Sequence, residues 1–166
     1  MSVPWTESAD ELDLLDLVEQ LVRAQGWAYE RGGEEELHAD VPGQWATYRV
    51  WFGWHEDLGL FQIACTLDLE VPEGRLPAVA ELLCRANPRL WLGHFELWPD
   101  SRLPAFRHGV LFREGSGISP ETVADLVDIV VHECDRFYPA FRAVVEQGRD
   151  PEDALTAAML ETEGEA

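Results

Sequence analysis

The chain has no lysine. Its basic residues are 12 arginines, set against 32 aspartates and glutamates, for a formal net charge of −20 over 166 residues. All-arginine usage follows from a GC-rich genome as readily as from function, and is given no functional weight. The charge balance does exclude partners: a protein this acidic is repelled by phosphate backbones and anionic membrane surfaces. Nucleic acid and membrane are therefore not expected partners, whereas basic peptides and basic protein patches remain compatible. Net charge of this size also keeps an aromatic-rich protein in solution.

Cysteine is scarce too. Cys65, Cys84 and Cys134 are odd in number and far apart, and each sits in an apolar stretch. Buried free thiols in a reducing cytoplasm are the expectation. No apolar run approaches the roughly 20 residues of a membrane helix. The opening segment, Met1 to Glu7, has neither a basic nor an apolar region, so a secretory signal is not expected.

Motifs of chemistry are also missing. There is no Cys-x-x-Cys, and no two of His38, His55, His94, His108 and His132 share helical ligand spacing. There is no Gly-x-Ser-x-Gly nucleophile elbow. Gly115 to Pro120 begins like a phosphate loop but ends in proline and follows a hairpin strand, so it reads as a turn with a helix cap. Cys134 lies on an apolar helical stripe between Glu133 and Asp135, where burial and acidic neighbours raise a thiol pKa. The carboxylates, including Glu34 to Glu36 and Asp100, lack the apolar pocket that general-acid work requires. No catalytic residue, metal or cofactor is expected, and the chain is not expected to be an enzyme.

What is present is a strand dense in rings. Trp45 to His55 holds five aromatic residues in eleven. It alternates, and it pairs well with the run Leu60 to Val71. With Trp54 opposite Phe61, Phe52 faces Ile63, Val50 faces Cys65 and Tyr48 faces Leu67. One face is then apolar; the other carries Thr47, Arg49, Trp51, Gly53, Gln62, Ala64, Thr66 and Asp68.

Around this hairpin the remaining elements fall into place. Ser8 and Glu11 form a capping box before a helix striped by Leu14, Leu17, Val18, Leu21 and Val22, widened by Leu12 and Leu15, and stopped at Gly26. Short strands follow near Trp27–Arg31 and Glu36–Val41. A helix is expected over Glu73–Asn87, ended by Pro88. Leu92–Trp98 and Leu103–Arg113 form a second hairpin. Two registers compete there. One sets His94 across from His108; the other gathers Phe95 and Leu97 with Phe106, His108 and Val110. The second sorts apolar residues better, so a His94–His108 metal pair is not expected. Ser119 and Pro120 open the longest helix, with Val123, Leu126, Val127, Val130, Cys134, Phe137, Tyr138 and Phe141 at helical steps. Asp150 and Pro151 open a last one.

The order is α-β-β-β-β-α-β-β-α-α. It predicts an α+β fold: an antiparallel β-sheet with helices packed mainly on one face, in a single domain over 1–166 with a core of about 8–162 and an acidic C-terminal tail. Three tryptophans are left unabsorbed. Trp51 falls on the polar side of its strand beside Arg49, Trp91 follows Pro88, and Trp98 shares an outer face with Glu96 and Arg107. Arg49, Trp51, Trp91 and Trp98 are the candidate partner or dimer surface, since tryptophan and arginine anchor interfaces. Cover by the chain itself is the competing explanation for these rings.

The run Asn87-Pro88-Arg89-Leu90-Trp91-Leu92-Gly93-His94-Phe95-Glu96, leading into Phe106-Arg107-His108, resembles the YbjN family of bacterial proteins, described as sensory transduction regulators. That family shows an Asn closing the middle helix, a Gly-x-Phe opening the next strand, and an aromatic–Arg pair on the strand after. Glu11–Tyr29, Trp45–Trp54 and Phe137–Phe141 extend the resemblance over roughly residues 8 to 162, although this chain is richer in Trp. The resemblance implies a fold similar to type III secretion chaperones: a curved antiparallel sheet, helices on one side, usually a homodimer, non-enzymatic, binding an extended client segment. It brings no catalytic residues with it. A non-catalytic, chaperone-like protein-binding or regulatory module in the cytoplasm is the leading expectation. A small-ligand sensor with a groove between sheet and helices is the alternative, and an undetected enzyme a remote one; shared fold alone does not decide among them.

Overall fold

The structure, a computed structural model, describes residues 14–112 and 118–163. Ser8, Glu11, Leu12, Gly115 to Gly117 and the end of the acidic tail lie outside the described residues. The observed elements are α1 (Leu14–Gln25), β1 (Tyr29–Arg31), β2 (Glu36–Pro42), β3 (Thr47–His55), β4 (Leu60–Thr66), α2 (Leu76–Ala86), β5 (His94–Leu97), β6 (Pro104–Leu111), α3 (Pro120–Gln147) and α4 (Pro151–Glu163). This is the expected α+β order. The six strands form one curved antiparallel sheet in the order β1-β2-β3-β4-β6-β5.

Period-two patterning fixes the register. Trp54 pairs with Phe61, Phe52 with Ile63 and Val50 with Cys65, so the apolar positions of β3 and β4 share one face. In the second hairpin Phe95 pairs with Phe106 and His94 with Arg107, which is the register that sorts apolar residues and separates His94 from His108. α1 packs on β2 and β3, α3 on β4 and β6, and α2 on β5, while α4 packs on α3 and α2. Every residue of the expected α3 stripe is buried. Phe95 meets Phe106, Phe137 and Phe141 at centroid distances of 5.1–5.2 Å, a tilted-to-edge ring cluster that adds roughly 0.5–1.5 kcal/mol per pair beyond area burial. The sheet–helix interface, where a ligand groove was the alternative expectation, is filled by such side chains, with Phe52, Phe61, Phe95, Phe106, Phe137 and Phe141 all fully buried.

Helix ends follow their local chemistry. Gly26 (φ 70°) and Gly148 (φ 64°) take the left-handed conformation past α1 and α3. Ser119 accepts from the Thr122 N–H, and Asp150 Oδ1 accepts from the N–H groups of Glu152 and Asp153.

Three expectations are corrected. The strand read as Leu60 to Val71 ends at Thr66. Beyond it the Leu69 N–H turns back to the Leu67 carbonyl, which kinks the chain while Leu67, Leu69 and Val71 stay buried. The helix expected over Glu73–Asn87 is α-helical only from Leu76 to Ala86, with 3-10 turns at Glu73–Arg75 and Asn87–Arg89. It ends before Pro88 as expected, and Pro88 sits early in the second turn, where its missing N–H costs nothing. Cys84 is exposed, whereas Cys65 and Cys134 are buried as expected.

Candidate functional site

With the helices on one side of the sheet, the other side is left without helical cover among the described residues. Side chains at alternate positions line it. Cross-strand pairing sets His38, Trp51, Ala64, Arg107 and His94 in one row across five strands. A parallel row runs Asp40, Arg49, Thr66, Ala105 and Glu96. The middle of this face is built from small residues. Ala64 and Ala105 are nonetheless 1% and 0% exposed, so the larger side chains beside them close over the centre.

Trp51 and Trp98 are both half-buried here, each held by a carboxylate. Trp51 lies along its own strand. A Cβ at Gly53 would stand 2.2 Å from the Trp51 ring, and the indole N–H donates to Glu36 Oε2 at 3.0 Å. The bare Gly53 is thus the seat of the Trp51 ring. Trp98 donates to Glu96 Oε1 at 2.5 Å, and Arg107 donates to the same oxygen through two nitrogens at 2.6 and 2.9 Å. His94 approaches the other oxygen at 3.3 Å. Burial pushes the Glu96 carboxyl up, but the bonds from Trp98 and Arg107 outweigh it and hold the group below its ordinary pKa. Arg49 pairs with Asp40 and Glu30 on the exposed side.

Trp91 stands apart from these two. It is 97% exposed in the loop that enters β5, followed by exposed Leu92. Arg49, Trp51 and Trp98 are therefore gathered on the uncovered face, and Trp91 lies at the edge of the sheet. Of the four, Trp51 and Trp98 are each partly covered by their own chain.

The β5 edge carries a feature that spacing did not reveal. In the Phe95–Phe106 pair the Phe95 backbone groups point away from β6. Asn87 takes both: its Oδ1 accepts from the Phe95 N–H at 2.7 Å and its Nδ2 donates to the Phe95 carbonyl at 3.0 Å. One side-chain amide thereby imitates a neighbouring strand and closes the middle of an edge that would otherwise template pairing. An asparagine closing a helix eight residues before a phenylalanine was the available signal, but it names no partner.

Among the described residues, the other candidate thiols and imidazoles do not come together as a site. The Cys134 thiol is pushed well up by burial, then by contact with Cys65 and by the neighbouring acids Asp135 and Glu133. His108 is pushed down by burial and by His94. Among the described residues no group of three or more His, Cys, Asp or Glu side chains could hold a metal ion, and no helix is long and apolar enough to cross a membrane.

Comparison with known proteins agrees with this architecture. None of the curated proteins compared with the chain matches it. Among solved structures, one described as "YbjN, a putative transcription regulator from E. coli" superposes with a TM-score of 0.50 at 13% identity, covering 91% of this chain and 92% of that one; identity this low speaks to fold alone. The model of the YbjN family, "Putative bacterial sensory transduction regulator", matches residues 14–143, more than half of the sequence, and the chain belongs to that family.

Proposed function

We propose that the chain is a non-catalytic protein-binding or regulatory module, chaperone-like in manner, that receives a protein partner or a second copy of itself on the uncovered sheet face. The observation that carries this reading is the face itself: Trp51, Trp98 and Arg107 around a small-residue centre of Ala64 and Ala105, without helical cover among the described residues. Half-buried aromatic and arginine side chains that close over this small-residue centre suit the anchors of a docked surface. Asn87 occupies the middle of the β5 edge, so an extended partner is better accommodated on the face than by strand addition there. Buried free thiols at Cys65 and Cys134 suit a reducing cytoplasm. No residue is assigned a catalytic role in this reading.

The test is affinity capture of the tagged protein from its host, combined with sedimentation, for wild type, Trp51→Ala and Trp98→Ala. The expected result is loss of the captured partner, or of the dimer, in both variants with Tm lowered by only a few degrees. Binding intact in both variants, with a large fall in Tm, would make these rings structural and reject the face.

A further inference from the structure

On the helical side of the molecule, away from the uncovered face, lies a cleft of about 280 Å³ between α3, α4 and the β2–β3 turn. The floor is alanine, with Ala143 from α3 and Ala154 and Ala158 from α4. One wall is the ring of Trp45, 45% exposed and fixed in place because its indole N–H donates to the Asp135 carbonyl at 3.0 Å. Two guanidiniums, Arg142 and Arg149, and one carboxylate, Glu161, also line it, together with Tyr138, Pro139, Gln147 and Ala157.

The arginines are the informative part. Eight arginines of the described residues sit in ion pairs: Arg23, Arg31, Arg49, Arg85, Arg102, Arg107, Arg136 and Arg142. Arg75, Arg89 and Arg149 make none among the described residues, and of these three only Arg149 lines the cleft. Arg142 engages Glu146 through Nε alone at 3.1 Å, leaving its terminal nitrogens without a partner among the described residues. A guanidinium fork matches a planar carboxylate through two parallel hydrogen bonds. An apolar floor and an aromatic wall select a flat apolar body. At about 280 Å³ the space falls just under the range for drug-sized ligands, which limits that body to a single ring.

We propose that this cleft binds a small monocarboxylate bearing one flat apolar ring, with the ring against Trp45 over the alanine floor and the carboxylate on Arg149 and Arg142. The site is independent of the sheet face, so either can fail without the other.

The probe is phenylacetate, compared with its neutral isostere phenylacetamide. Each is titrated into nitrogen-15-labelled protein while the Trp45 indole N–H signal is followed, identified by its disappearance in Trp45→Phe. Phenylacetate should shift that signal saturably, leave the Trp51 and Trp98 indole signals in place, and bind about tenfold tighter than the amide, as expected for loss of one charge-assisted contact. Arg149→Gln, an exposed substitution, should weaken the acid about tenfold and the amide little. Ala157→Phe, which puts a ring into the cleft, should abolish both. A shift that never saturates, equal affinity for acid and amide, or wild-type affinity in Arg149→Gln each overturns the proposal; the last two stand even if Ala157→Phe does not fold.

Discussion

The indole N–H of Trp45 donates to the backbone carbonyl of Asp135, 90 positions away in sequence, at 3.0 Å. That carbonyl is the one left without a helical donor by Pro139, four residues on within α3. Asp135 also holds the same turn through its side chain, accepting from the Gln44 N–H at 2.9 Å and from the Tyr48 hydroxyl at 2.7 Å. The backbone approaches so closely that a Cβ at Gly43 would stand 2.2 Å from the Tyr48 ring. A proline that would merely weaken an isolated helix here marks the point where the sheet is latched to it.

The latch predicts a coupling. Trp45→Phe should cost about 1 kcal/mol, the usual net worth of one hydrogen bond. Pro139→Ala gives residue 139 an N–H that can serve the Asp135 carbonyl within the helix. In that background the cost of Trp45→Phe should shrink by at least about 0.5 kcal/mol, an interaction energy typical of residues sharing a partner. Urea unfolding of wild type, both single variants and the double variant measures it, and strictly additive costs would contradict the latch.

The β5 edge makes a second prediction. Asn87→Ala strips partners from both the N–H and the carbonyl of Phe95. The expected loss is about 1–3 kcal/mol, together with concentration-dependent association through the reopened edge. Asn87→Asp keeps the acceptor and loses the donor, and should fall between the two. Thermal unfolding and light scattering across a concentration series read both effects. A variant that loses stability yet stays monodisperse would leave Asn87 with a packing role only.

Much of this was legible in the sequence wherever one periodicity operated alone. The β3–β4 register followed from Phe52 and Trp54 seeking Ile63 and Phe61, and the β5–β6 register from Phe95 seeking Phe106, because a slip of one residue would turn every apolar side chain outward. The place of Trp45 was not legible. It reads as the first ring of an aromatic strand, yet it belongs to the turn before β3, since its role is set by a carbonyl on a distant helix. Asn87 was equally opaque, as no local rule says which strand edge its amide will meet. Cys84 was misplaced for a simpler reason: its neighbours Leu82 and Leu83 are apolar, but the helical phase carries position 84 to the solvent side.

Glu96 gives a pH-dependent prediction. Its carboxyl is held below the ordinary 4.5 by Trp98 and Arg107 against the opposing effect of burial. A group depressed in the folded state contributes stability that is present above its unfolded pKa and is lost as pH falls through its folded pKa. Glu96→Gln should therefore lower stability at pH 7 by no more than about 1 kcal/mol, since the Arg107 pair is partly exposed to water. The difference from wild type should fade below about pH 4.5, where the carboxylate of the unfolded chain begins to protonate while the folded one stays ionised, and should be gone once pH passes the lowered folded pKa. Urea unfolding midpoints from pH 3 to pH 7 test this, and a gap that widens toward acid would reverse the assigned sign.

Trp91 separates folding from recognition most cleanly. At 97% exposure its ring has almost no contacts to lose, so Trp91→Ala should change stability by less than about 0.5 kcal/mol, as surface substitutions do. A side chain this apolar and this open gains most from a partner that covers it, by up to about 2 kcal/mol or more for an interface anchor. If the loop before β5 belongs to the partner surface, Trp91→Ala should lose about tenfold or more in affinity for whatever the sheet face binds. Trp51→Ala should lose affinity too, but with a measurable drop in Tm, because it also uncovers Gly53 and frees Glu36. Titrating a captured partner against the two variants distinguishes the outcomes: equal affinity in Trp91→Ala confines the interface to the sheet face, while a loss without any fall in Tm extends it around the β5 edge.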